Sequence, residues 1–191
     1  MLAFSRLTSF LLFVLSLSFL TCALPTPAVA GSKELAIRDG GDQALLSVVA
    51  GLRANADAKV QDLGGCNNVV DAKAGLSVIV ELIGDAATNV SALGKVEVAA
   101  DVTVQIVAHV SAVICVVLKL CLELGAKFGV TVFLAVLAKL DLCLHLLVLN
   151  LGVCIQGFAA LCAKAFVGID LGAFAKLHLV LCATLFDVVR L

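Results

Sequence analysis

Side chains with a capacity for chemistry are sparse in this sequence, and among them stand eight cysteines in 191 residues. His178 and Cys182 stand four apart, as do Asp141 and His145 with Cys143 between them. On a helix either pair would share a face, the arrangement a metal site needs. No CxxC or HExxH spacing accompanies them, so structural or disulfide roles are expected and no metal or cofactor is assigned. A Cys–His nucleophile is conceivable among Cys143, His145 and His178, but no orienting third residue or oxyanion hole is legible beside them. The doublets Gly40-Gly41 and Gly64-Gly65 lack the Lys-Ser/Thr of a phosphate loop and read as turns. No catalytic residue is assigned, and the chain is not expected to be an enzyme. Asn89 opens Asn-Val-Ser, an N-glycosylation acceptor pattern that requires an exposed position.

These groups sit in an unusually oily chain. Hydrophobic residues make up 62% and charged residues 14%, against roughly 45–50% and about 25% in ordinary soluble domains. Mean hydropathy is +1.17. Disorder needs the opposite balance. With 13 Lys and Arg against 14 Asp and Glu, no basic field exists to hold a polyanion, which excludes nucleic acid as an expected partner. Neither Trp nor Tyr is present to stack on a base or a sugar.

Arg6, the apolar run Leu7 to Leu20, and the small residue Ala23 ahead of Leu24-Pro25-Thr26-Pro27 form the pattern of a secretory signal peptide over residues 1–23. The run is short of the roughly 20 residues that a spanning helix needs. In an oxidising route the seven remaining cysteines, Cys66, Cys115, Cys121, Cys143, Cys154, Cys162 and Cys182, are disulfide candidates. An odd count leaves one thiol over, and the pairing is not legible.

The rest divides into two halves of different character. Residues 24–101 carry 16 charged side chains, ten acidic and six basic, whereas residues 102–191 carry ten, six basic and four acidic. Within the first half, residues 24–43 read as a flexible leader, and residues 44–101 as a polar half built of amphipathic helices. Ala44 to Gln61 is one such helix, stopped by Gly64-Gly65, and Val69 to Ile83 another, closed by Gly84.

The second half is ambiguous in period. Leu118, Leu120, Leu122 and Leu124 alternate with other residues, as do Leu140, Leu142, Leu144 and Leu146, which suggests strands. Lys119, Glu123 and Lys127 are spaced instead for a charged stripe on a helix. Leucine and alanine dominate, and no proline follows Pro27. The expected class is therefore all-α, a helical bundle, with helices near 90–124, 130–151, 155–167 and 171–189. The alternative is a β-rich, self-assembling C-terminal half.

Leu142 to Ala163 is 22 residues without a formal charge, and Val102 to Leu118 adds 17, so a multi-span membrane protein is an alternative. Against it stand the missing interfacial aromatics and the lysines that recur singly through the half. A secreted carrier of a small apolar ligand is the other alternative. A watery front and an oily back imply self-association or adsorption at an interface.

The cysteine count and hydrophobicity first suggest hydrophobins, but those carry two Cys-Cys doublets and this chain has none, its closest pair being Cys115 and Cys121. In layout the whole chain resembles a secreted, non-hydrophobin structural protein of mushroom-forming fungi, with a hydrophilic N-terminal half and a hydrophobic C-terminal half. That resemblance implies a place in the cell wall and extracellular matrix, a role in aerial hypha formation and in attachment to hydrophobic surfaces, and no site residues.

Overall fold

The computed structural model describes residues 33–166 and 172–187. The signal pattern, with Cys22, and residues 24–32 of the leader lie outside them. Among the described residues the chain forms seven α-helices and one 3-10 turn, with no strand. They are α1 (Lys33–Gly64), α2 (Val69–Leu93), α3 (Ala100–Phe128), a 3-10 turn (Val130–Phe133), α4 (Leu134–Cys154), α5 (Phe158–Ala165), α6 (Gly172–Lys176) and α7 (Val180–Asp187). The all-α class holds and the β-rich alternative falls. A helix absorbs the leucine alternation by splitting it: Leu140 and Leu144 turn inward, Leu142 and Leu146 outward.

Several boundaries differ from those read in the sequence. α1 begins at Lys33 and runs through Gly40-Gly41, which are therefore not a turn, and it stops at Gly64 as expected. Helix propensity penalises glycine only by about 1 kcal/mol, and packing overrides it here: a Cβ on Gly41 would lie 2.9 Å from the Val96 side chain. Likewise α2 continues through Gly84 to Leu93 and is closed instead by Gly94 at φ 69°. Gly152 lies inside α4, and the turn after it uses Gly157 at φ 71°. The segment 171–189 breaks into α6 and α7.

The reason for that break is a helix-ending motif. Leu179 N–H donates to Phe174 O (2.8 Å) and His178 N–H to Ala175 O (3.1 Å), with His178 left-handed at φ 57°. These are the paired bonds of a Schellman C-cap, and the Phe174 and Leu179 side chains it brings together are fully buried.

Local signals fix the other ends. The Asn68 side chain accepts from Val70 N–H at 3.0 Å, an N-cap for α2 that Asp71 in the first turn reinforces. At the far end of α3, Lys127 Nζ donates to Cys66 O (2.7 Å) and Asn67 Oδ1 (2.6 Å), tying that terminus to the α1–α2 turn. On α2, Leu82, Asp85, Ala86 and Asn89 line a groove shared with α1, while Gly84, Ala87, Thr88 and Ser91 line one shared with α4. At 100° per residue these two sets lie on opposite flanks, so α1, α2 and α4 form a layer with α2 in the middle. α3 is the most enclosed helix, burying Ile106, Val110, Ile114, Val117, Leu118, Cys121 and Leu124 among others. Its outer side carries Lys119, Glu123 and Lys127, the charged row expected from the spacing. Phe166, Phe174 and Phe186 cluster with ring centroids 5.0–6.2 Å apart, and Phe128 stands 6.3 Å from Phe133, so these phenylalanines pack the interior.

Candidate interaction surface

The fold brings Asp141 of α4 against Cys182 of α7, with His145 one turn on from Asp141, and separates the other residues singled out for chemistry. Cys143 and His145 are two apart on α4 and point roughly 200° away from one another. Cys143 faces α2, where a Cβ on Gly84 would lie 3.5 Å from its Sγ. His178 is exposed in the turn before α7, and Cys182 is buried beyond that turn, so the helical pairing expected of them does not form. Among the described residues no group of three or more His, Cys, Asp or Glu is placed to hold a metal ion.

No disulfide is formed among Cys66, Cys121, Cys143, Cys154, Cys162 and Cys182 in the structure. Cys66 lies in the turn before α2, and Cys154 Sγ lies 3.2 Å from Gly94 O at the other end of that helix, about 36 Å away along its axis. Cys121, Cys162 and Cys182 are packed into the core. Burial pushes the Cys121 thiol up to about 12. Burial also pushes the Cys162 thiol up to about 12, against a smaller downward pull from the neighbouring Ser111 hydroxyl. The Cys182 thiol is raised by burial first and then by the Asp141 carboxylate beside it, and the Cys143 thiol by burial alone. Thiolate is the nucleophilic form, so at neutral pH these four positions hold the unreactive one.

Asp141 has a task that its spacing from His145 did not suggest. It is buried, and its oxygens accept from the Leu181 and Cys182 backbone N–H groups, both at 2.8 Å. Leu179 stands where α7 needs a capping side chain and has no acceptor to offer. A carboxylate from α4 caps the helix from outside. Asn150, which interrupts the apolar run in the sequence, donates from Nδ2 to Ala87 O at 2.9 Å and joins α4 to α2. Asn89 is exposed on the α1–α2 side, the condition its acceptor pattern requires.

What the fold does assemble is an apolar surface. Leu142, Leu146, Leu149 and Val153 form a row along the outer face of α4, each between 43 and 58% exposed. Their spacing of four, three and four keeps them in one stripe about 16 Å long. Lys139 is the only charged residue on the solvent side of α4, since Asp141 is turned inward. Beside the stripe runs an open groove of about 390 Å³ between α2 and α4, floored by Gly84, Ala87, Thr88 and Ser91 and walled by Leu146 and Asn150. A smaller one of about 110 Å³ continues it past Asn150 to Val153. Val180 and Leu181, on the helix that Asp141 anchors, are exposed as well. Across α2, the α1 side presents Arg53, Asp57, Lys59 and Asp62 in ion pairs, with Asp85 and Asn89 nearby.

Leu142 and Leu146 stood in the sequence as alternate members of the series Leu140 to Leu146, but which members would face outward depends on the helix choice and on what α4 packs against. Comparison with protein-family models, with curated proteins and with solved structures gives no match to this chain, so none of them supplies the fungal family that its layout resembles.

Proposed function

We propose that this is a secreted, non-enzymatic structural protein of a cell wall or extracellular matrix, acting by self-association or adsorption at hydrophobic interfaces. On this reading it supports aerial hypha formation and surface attachment. The observation that carries the proposal is the unscreened row Leu142, Leu146, Leu149 and Val153 on one side of α2, with the ion-paired α1 surface on the other. Such lateral separation makes the folded molecule an amphiphile. Fully burying a Leu or Val side chain is worth about 1.5–3 kcal/mol, so four half-exposed ones hold on the order of 4 kcal/mol that is released when a boundary or another molecule covers them.

The test is a pendant-drop measurement of surface tension on protein purified from medium and wall fractions. The tension is expected to fall at micromolar protein, and sedimentation is expected to show assembly. A monomer that leaves the tension of water unchanged would overturn the proposal.

One observation favours a second reading, a protein of several membrane spans. Val69–Leu93, Ala100–Phe128 and Val130–Cys154 are each long and apolar enough to cross a bilayer. Part of each segment is already buried inside the fold, half of the most apolar stretch in the case of the second and 39% in the other two. Carbonate extraction separates the two readings: an integral protein stays with the lipid pellet, and an adsorbed one is released.

A further inference from the structure

Resting on the reading of a secreted chain, we propose that Asn89 carries an N-linked glycan whose first sugar seats in the groove between α1 and α2. Of Asn55, Asn67, Asn68, Asn89 and Asn150, only Asn89 is followed two positions on by a Ser or Thr. Three of the others already have structural tasks: Asn67 accepts from Lys127, Asn68 caps α2, and Asn150 donates to Ala87 O. Asn89 and Ser91 are exposed, and Val90 between them is packed into the core. At 100° per residue Asn89 and Ser91 lie about 200° apart around α2, the first toward α1 and the second toward α4. The folded helix therefore parts the amide and the hydroxyl that the acceptor pattern must present together, so transfer comes before α2 forms. Asn89 Nδ2 then bonds to C1 of the first N-acetylhexosamine of a lipid-linked oligosaccharide pyrophosphate. The C1–O bond to the pyrophosphate breaks, the lipid pyrophosphate leaves with the electron pair, and the amide proton passes to a base of the transferase.

A chain modified before folding must afterwards find room for the sugar, and the native structure provides it. The groove beside Asn89 is open and of about 210 Å³, comparable to a single sugar ring. Gly51 lies in it with open space where a Cβ would stand. Val48 and Leu82 give it half-buried apolar walls, and Ser47, Asn55 and Asp85 give it exposed polar groups. An N-acetylhexosamine matches that distribution, with a C–H face for the valine and leucine, and with hydroxyl and acetamide groups for the polar side chains. The glycan then enlarges the wet side of the molecule, which already carries the α1 ion pairs, and leaves the α4 row clear.

Intact-mass spectrometry on the full chain from a eukaryotic secretory host tests the modification. The mature protein is expected to exceed its chain mass by one oligosaccharide, and amidase release in heavy-oxygen water is expected to leave labelled aspartate at position 89. Asn89→Gln and Ser91→Ala should each lose the glycan, and Ser91→Thr should keep it. Thermal midpoints test the seat. Protein trimmed by an endoglycosidase to one remaining sugar should melt a few degrees above Asn89→Gln, and in a Gly51→Leu background, where the groove is filled, that gap should close, a coupling read as a double-mutant cycle. Protein in the medium at its bare chain mass would overturn the proposal and leave secretion standing. A single sugar that gives no gap, or the same gap with Gly51→Leu, would overturn the seat in the groove. A glycosylated chain that carbonate leaves in the lipid pellet would support the glycan and defeat the secreted reading instead.

Discussion

Asp141 lies in the middle of an apolar helix, and both of its carboxylate oxygens are engaged by the first turn of α7. Two backbone N–H groups and the positive end of a helix are a suitable environment for a buried anion. Removing the carboxylate strands both donors, which costs about 1–3 kcal/mol for each group left unmade. Asp141→Ala is therefore expected to lower stability by about 3 kcal/mol in urea titration, and to open α7 to proteolysis before the rest of the chain. Asp141→Asn, which keeps one acceptor oxygen, should lose about half as much. His178 makes the opposite case. Its left-handed backbone costs a residue with a Cβ about 1 kcal/mol that glycine does not incur, and its side chain is exposed. His178→Gly should raise the thermal midpoint by a few degrees, whereas loss of stability would mean that the imidazole holds the turn.

Helix packing turns on small residues where two axes approach. A Cβ added at Gly75 on α2 would run into the Leu63 side chain from the end of α1, so Gly75→Ala should destabilise the α1–α2 hairpin by about 1–3 kcal/mol despite alanine's better propensity. Pairing it with Leu63→Ala should recover part of the loss, a coupling that a double-mutant cycle reads directly. This is also where the sequence stops being informative. The existence of α2 was legible from apolar periodicity, whereas the period of the α3 and α4 region was ambiguous and the Lys119–Glu123–Lys127 stripe, with the abundance of leucine and alanine, decided for helix. Glycine was an uneven guide to the ends, because Gly41 and Gly75 sit at close contacts within helices and Gly84 inside α2, whereas Gly64, Gly94, Gly129, Gly157 and Gly172 fall at boundaries. A close approach depends on the partner helix, which no local window contains. The cap that Asp141 gives α7 is invisible for the same reason, with 40 residues separating donor from acceptor.

At the scale of the whole molecule, the interior holds three thiols, Cys121, Cys162 and Cys182, and their ionisation is tied to folding. Each would ionise near 9.0 when unfolded, whereas burial pushes Cys121 and Cys162 up to about 12 and Cys182 in the same direction. Above pH 9 the unfolded chain therefore releases protons that the folded chain still holds, and rising pH favours unfolding. The stabilisation is complete below pH 9 and is lost as pH climbs toward 12, at about 1.4 kcal/mol per pH unit for each thiol. The urea midpoint should stay level from pH 6 to 8.5 and fall steeply beyond 9, and Cys121→Ala with Cys162→Ala should flatten the slope at some cost in packing. Alkylation under denaturing conditions without reductant should then label all three. A wild-type midpoint that does not move between pH 8 and 10.5, with no label taken up, would mean that these sulfurs carry no proton to lose, as in disulfides. In that case the oily half would be held together by covalent staples instead of by packing alone.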